Sequence, residues 1–274
     1  MSARLVAPSA RTPGPDGRLV SVTPESAGWS YVGFEVYRLG QGMRIELDTA
    51  AREVCAVMLV GRADMSFGDH RWTDVGARES VFRGTPDAVY APPGGLLQVS
   101  AASGQCEVAL CWAPATAGAA PVLIPAAEIK PFTRGSGRTE RTIHNILMED
   151  RAAESLLVTE VLTPGGSWSS YPPHKHDEDR LPDESQLEES YYFRINPPQG
   201  FALERVYTSD GRLDQTAAPR NGDLVLVPRG YHVVGAPHGY EVYYLNVLAG
   251  PKRALRVTFD PDHVWVKESW DRVW

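Results

Sequence analysis

The octet DAVYAPPG, Asp87 to Gly94, returns as DLVLVPRG, Asp223 to Gly230. Both copies have the form D-x4-P-x-G, and they stand 136 residues apart in a chain of 274. A strand ending in Pro-x-Gly is common in β proteins, so the octet alone decides little. Each copy is also followed, at a similar distance, by an apolar run: residues 108–112 after the first and 244–248 after the second. Self-similarity at half the chain length predicts two similar domains.

The remainder reads as short strands punctuated by turns. Met43, Ile45 and Leu47 alternate with Arg44 and Glu46, the pattern of a half-buried strand. Residues 53–60 are apolar and rich in β-branched side chains, and Gly61 stops them after eight residues, which favours strand over helix. Further strand signals fall at 156–162, 190–195, 201–207, 223–227, 241–248 and 255–259. Pro-Gly-Gly at 164–166, Asn-Pro-Pro at 196–198 and Ser-Asp-Gly at 209–211 separate them. With 25 Gly and 22 Pro the chain carries more turn formers than the ~12% of ordinary usage. The expected class is all-β, as two tandem barrels. Residues 114–129 have no period and many Pro and Ala, which reads as a linker. The expected domains are 1–125 and 126–274. Residues 1–18 read as a loose arm or irregular edge segment.

Charge and cysteine usage exclude several classes. Lys plus Arg is 27 and Asp plus Glu is 34, a net charge of −7. That argues against nucleic acid or an anionic membrane as partner. Six acids and one arginine lie in residues 177–188, so this segment alone supplies −5. Such a run is ordinarily a solvated loop, and as function it would be a mobile lid. Cys55, Cys106 and Cys111 are odd in number and form no C-x-x-C, which fits a reducing, cytoplasmic setting. The N-terminus has no apolar leader core. Prolines 114, 121 and 125 interrupt the longest uncharged apolar stretch.

The chemistry concentrates in the second half. In SSYPPHKHDED, His174 and His176 are two residues apart, so on a strand both imidazoles point to one face and can converge on one divalent cation. An acid–aromatic strand follows, beginning Glu188-Glu189-Ser190-Tyr191-Tyr192-Phe193, and either glutamate could add an oxygen ligand. His232 stands just past the second octet. His238 reads as a turn residue, and His70, His144 and His263 as structural or surface residues. No H-x-H occurs before residue 130, and Leu96 follows the first octet where His232 follows the second. The N-terminal domain is therefore expected to lack a metal site.

Together these features resemble the two motifs of the cupin family, G-x(5)-H-x-H-x(3,4)-E and G-x(5)-P-x-G-x(2)-H. The resemblance implies His174, His176, Glu189 and His232 as metal ligands. The order E-x-Tyr-Tyr favours Glu189, although spacing alone does not separate it from Glu188. Twelve residues, not three or four, separate His176 from Glu189. The segments EESYYFRINPPQGFALERVY and PRGYHVVGAPHGYEVYYLNV are more specific. They resemble the 5-deoxy-glucuronate isomerases of myo-inositol catabolism and, beyond them, the related 4-deoxy-5-hexosulose-uronate ketol-isomerases. The resemblance implies an intramolecular oxidoreductase, an aldose–ketose isomerase acting on a small sugar acid. It also implies a divalent ion, zinc, with manganese or iron as alternatives, and a homo-oligomer.

Moving a carbonyl by one carbon requires a group that shuttles a proton. The sequence offers Glu188 as a base and Tyr191, Tyr192 or Tyr244 as donors. Arg194, Arg229 and Lys175 are the cations near the motifs that could meet a substrate carboxylate; Lys175 should point away from the imidazoles. An iron-dependent cupin dioxygenase and a non-catalytic sugar-binding cupin are the competing functions. Trp265, Trp270 and Trp274 are expected to dock on a barrel or on a neighbouring subunit.

Overall fold

The structure, a computed structural model, describes residues 5–10, 12–102 and 104–269. Nearly all regular structure is β. Two compact units emerge. One comprises residues 9–130 and 145–159; the other comprises 1–8, 131–144 and 160–274.

The first unit holds a six-stranded and a four-stranded sheet. The six-stranded order is Val122–Ile124, Ala88–Ala91, Arg52–Val60, Cys106–Pro114, Gly33–Leu39, Arg18–Val22. The four-stranded order is Arg44–Asp48, Leu96–Ala101, Ala63–Phe67, His70–Val75. Val54, Ala56, Met58, Met65, Phe67, Leu97 and Val99 pack in its interior. The Pro/Ala-rich stretch that reads as a linker is part of this unit. Val122–Ile124 pairs with Ala88–Ala91, Ile124 is fully buried, and the Ala126 N–H donates to Asp87. Prolines kept the segment free of any period but did not stop it from adding an edge strand.

The second unit repeats the plan. Leu224–Val227, Glu188–Asn196, Glu241–Ala249 and Leu157–Thr163 follow one another in the larger sheet, in the sequence set by the octet repeat. Arg141–Leu147 and Phe132–Arg134 extend that sheet at one edge, and Val6–Ala7 at the other, where it pairs with Val225 and Leu224. The smaller sheet runs Asp214–Ala217, Leu203–Tyr207, Tyr231–Gly235, Trp168–Lys175, Thr258–Phe259. The interior holds Tyr191, Phe193, Ile195, Val206, Val234 and Tyr244. Burial alternates along Leu203–Tyr207: Glu204 and Val206 are buried, Leu203 and Arg205 exposed. That is the signature of a sheet with one face inward.

The registers align the interiors of the two units. Glu189 lies between Val227 and Leu248; Val54 lies likewise between Ala91 and Trp112. His232 pairs with His174 and Val206; Leu97 pairs with Leu47 and Phe67. The inward counterpart of His232 is thus Leu97, which is fully buried, and not Leu96, which is exposed. Apolar side chains occupy the places of a carboxylate and two imidazoles. Among the described residues no helix is long and apolar enough to cross a membrane. Trp265 is exposed, and Trp270 and Trp274 lie outside the described residues.

Candidate metal centre

Three strands and one turn bring the centre together. His174 sits near the end of Trp168–Lys175, directly opposite His232 on Tyr231–Gly235. His176 follows two residues later, and Glu189 enters from the start of Glu188–Asn196. One ligand atom each from His176, Glu189 and His232 falls within 4.8 Å of the others, and all three residues are buried. The ring of His174 lies 4.6 Å from that of His232 and 6.3 Å from that of His176.

The hydrogen bonds around the cluster fix what it can hold. His176 Nδ1 is 3.0 Å from the Leu187 carbonyl, and His232 Nδ1 is 3.1 Å from the Gly230 carbonyl. A carbonyl only accepts, so each Nδ1 carries the proton. In the neutral ring this leaves a lone pair on Nε2. Both Nε2 atoms face the same carboxylate oxygen, Glu189 Oε2, at 2.9 and 3.1 Å. The contact of His232 Nε2 lacks hydrogen-bond geometry, so this buried nitrogen has no hydrogen-bond partner. The Asn246 amide donates to the other carboxylate oxygen, Oε1, at 2.8 Å. With a proton on His176 Nε2 the His176–Glu189 contact is a hydrogen bond; with a cation among the three atoms, each turns a lone pair toward it. Carbonyls and an amide that hold the donors from behind are the usual company of a metal ligand. The donor set therefore fits a divalent ion, and imidazole with carboxylate suits zinc, manganese or iron.

The electrostatics separate the two imidazoles of the H-x-H pair. Burial, then the neighbouring imidazoles His232 and His176, push His174 well below the ordinary histidine pKa, so its ring stays neutral. Burial alone would lower His176, but the hydrogen bond and charge of Glu189 raise it. Burial alone would raise Glu189, but its contacts with His176 and His232 hold it well below the usual carboxylate range.

A model of the KduI/IolB family matches residues 5–266. The chain belongs to this family. A 5-deoxy-glucuronate isomerase of Geobacillus kaustophilus is 52% identical over 267 residues, 97% of this chain and 96% of that one. A relative of the same name from Listeria monocytogenes is 47% identical, covering 87% of this chain and 88% of its own. The crystal structure of an IolB-like protein from Salmonella typhimurium LT2 superposes with a TM-score of 0.93 at 42% identity, covering 96% and 99% of the two chains. The oxalate decarboxylase of Lactobacillus farciminis superposes with a TM-score of 0.69 at 14% identity, over 94% of this chain and 89% of that one. That likeness identifies the two units as tandem cupin barrels.

The KduI/IolB chain distributes the other sequence candidates unevenly. Tyr191 and Tyr244 line the same interior. Their rings are 5.0 Å apart, both hydroxyls approach Ser170 Oγ at 3.2 and 3.4 Å, and the Tyr191 ring is 5.8 Å from that of His232. Burial, then Glu189, pushes the Tyr191 phenol well up, so it keeps its proton. Glu188, one residue off, belongs to the opposite face and is half-buried. Arg194 shares that face with Tyr192, its guanidinium 5.4 Å from the ring. Lys175 donates to Glu184 at 2.8 and 3.0 Å and not toward the imidazoles. Arg229, in the turn before His232, lies in electrostatic reach of exposed Asp210.

Four contributors were not singled out in the sequence. Asn246 interrupts the apolar run VYYLNVLA, and a lone amide in a buried strand is a legible signal. Asp177 accepts the Gly230 N–H at 2.8 and 3.0 Å, which joins the H-x-H segment to the turn before His232. That turn demands glycine: φ is 92°, and a Cβ would lie 2.5 Å from the Tyr207 carbonyl oxygen. Arg141 shares a strand face with Ile143, which packs on the interior cluster, and its charge acts on Tyr244. Burial, opposed by Tyr244 but aided by Arg134, brings its pKa down to about 10. Glu204 is the fourth. The acidic loop is tied down as well: Glu184, fully buried, accepts from Lys175, Thr258 and the N–H groups of Asp177 and Glu178.

Proposed function

We propose that this protein converts 5-deoxy-glucuronate to 5-dehydro-2-deoxy-gluconate, an aldose–ketose isomerisation in myo-inositol catabolism. His174, His176, Glu189 and His232 hold the divalent ion, zinc in this reading. The other barrel, residues 9–130 with 145–159, carries none. When bound, the ion supplies Lewis-acid polarisation of the substrate carbonyl and stabilises negative charge on its oxygens. The observation that carries the reading is the convergence of two buried imidazole nitrogens and one carboxylate oxygen in a KduI/IolB chain.

The chain's own residues supply the rest. Tyr191 and Tyr244 keep their protons and can donate to substrate oxygens near the cluster. Arg141, which shares a strand face with Ile143 of the interior, is the cation we assign to the substrate carboxylate. The apolar wall of Phe193, Val206 and Val234 excludes water from a reactive enediol. Three buried free thiols, Cys55, Cys106 and Cys111, support a cytoplasmic setting. We read the enzyme as a homo-oligomer acting on the small molecule alone, which light scattering on the purified protein tests.

The deciding experiment incubates the holoenzyme with 5-deoxy-glucuronate under strict anaerobiosis, with and without chelator. Ketose formation that the chelator stops is the expected result. Turnover that requires oxygen moves the protein to the dioxygenases, and no ketose at all overturns the reading.

A further inference from the structure

Glu204 is a fully buried glutamate, and neither carboxyl oxygen has a hydrogen-bond partner. A buried carboxyl group without partners is costly and is rarely kept for packing. Its position is inside the metal-bearing barrel. On Leu203–Tyr207 it shares the inward face with Val206, which lies opposite His232, while Glu204 itself lies opposite Val234. Glu204 and His232 are therefore diagonal neighbours on adjacent strands, roughly 7–8 Å apart. Leu203, Arg205 and Tyr207 face the other way, onto an outer groove of about 270 Å³. The other barrel supplies a control. There the pairs Phe67–Leu97 and Met65–Val99 stand where Val206–His232 and Glu204–Val234 stand here. The barrel with leucine in place of histidine thus carries apolar Met65 where this one carries Glu204. The carboxyl group accompanies the imidazoles and is not needed for the fold.

We propose that Glu204 is the catalytic residue that carries the proton between the two reacting carbons. The inference rests on the isomerase reading. A Glu204 carboxylate oxygen takes the proton from the carbon beside the aldehyde; that C–H bond breaks, an O–H bond forms, the electron pair becomes the carbon–carbon double bond of an enediolate, and the carbonyl π pair moves onto the former aldehyde oxygen. The same proton then goes to the former aldehyde carbon, while the hydroxyl proton moves from one substrate oxygen to the other. Atoms and electrons balance, with no outside oxidant or reductant. Burial, then the charge of Glu189, pushes the Glu204 pKa well up from the ordinary carboxylate range, in the direction that suits a proton carrier near neutrality. The charge of Glu204 in turn acts on Tyr191, so Glu204 is in electrostatic reach of the strand that carries both Glu189 and Tyr191.

The test compares the wild-type holoenzyme with Glu204→Gln and Glu204→Met, measuring metal content, thermal unfolding, kcat and KM. The expected result is wild-type metal content in both variants, an unfolding temperature raised in Glu204→Met, and kcat lowered by about 10²–10⁴-fold with little change in KM. A Gln variant within tenfold of wild-type kcat overturns the inference alone. Loss of metal or of fold in both variants also overturns it, by making Glu204 a ligand or a structural residue. A wild-type enzyme inert toward 5-deoxy-glucuronate overturns this inference and the isomerase reading together.

Discussion

Replacing Glu184 by alanine should loosen the loop that separates His176 from Glu189 and cost the protein a measurable part of its stability. Glu184 is fully buried and accepts Lys175 Nζ at 2.8 and 3.0 Å, the Asp177 N–H at 2.7 Å, the Glu178 N–H at 3.1 Å and the Thr258 hydroxyl. Removing one partner of a buried ion pair typically costs about 3–5 kcal/mol. Here part of that is recovered. Glu178 is exposed, so its N–H can rehydrate, and Lys175 can turn to Glu178 Oε1, already 3.5 Å away. The expected loss is about 3 kcal/mol, or a fall of roughly 6–12 °C in unfolding temperature at neutral pH. Lys175 and the other donors hold the folded-state pKa of Glu184 below its ordinary 4.5, against the opposing effect of burial. Its contribution is thus complete above about pH 4.5 and is lost as pH falls through the lower folded value. The gap between wild type and variant should close on acidification. Scanning calorimetry of both proteins from pH 7 to pH 3 checks this. A neutral-pH difference under about 1 kcal/mol, the level of a surface pair, or a gap that widens in acid, would refute the reasoning.

Other outcomes follow from the same contacts. Asn246→Leu removes the donor on Glu189 Oε1, and metal affinity should fall about 10–100-fold while the fold persists; titration with zinc against a competing chelator measures it. Asp177→Ala frees the Gly230 N–H beside His232, and the same titration should show a weaker ion with little change in secondary structure. Arg141→Met should raise KM for the sugar acid more than it lowers kcat; unchanged KM would remove Arg141 from carboxylate binding. Glu53, fully buried, accepts the Tyr90 hydroxyl and the N–H groups of Glu154, Ser155 and Leu156, so Glu53→Ala should destabilise by about 3 kcal/mol or more in chemical denaturation, without touching metal content.

Much of the architecture was legible because strands announce themselves by alternation and stops. The octets fell on equivalent strands of two barrels of one topology, and the H-x-H pair met the histidine after the second octet across one strand pair. The lesson of residues 114–129 is different: an edge strand needs only three paired residues, too few to show a period. Register was also out of reach. A one-residue offset separates Leu96 from Leu97, and only strand pairing shows which points inward. Nearness in sequence to a motif does not fix the face a side chain takes: Lys175, as alternation implied, bonds Glu184 away from the imidazoles, and Arg194 lies on the face of Tyr192. Glu204 was hidden because its neighbours Leu203 and Tyr207 are as apolar as Val206, so hydrophobicity alone could not tell the two faces of that strand apart.

Metal content measured on folded variants tests the centre most directly. Elemental analysis of purified wild type should find one divalent ion per chain. His176→Ala and His232→Ala should lose it, and isomerase activity should fall in proportion, while circular dichroism stays that of the wild type. Folded His176→Ala and His232→Ala proteins that keep a full complement of metal, or a metal-free wild type that isomerises at full rate, would contradict the assignment.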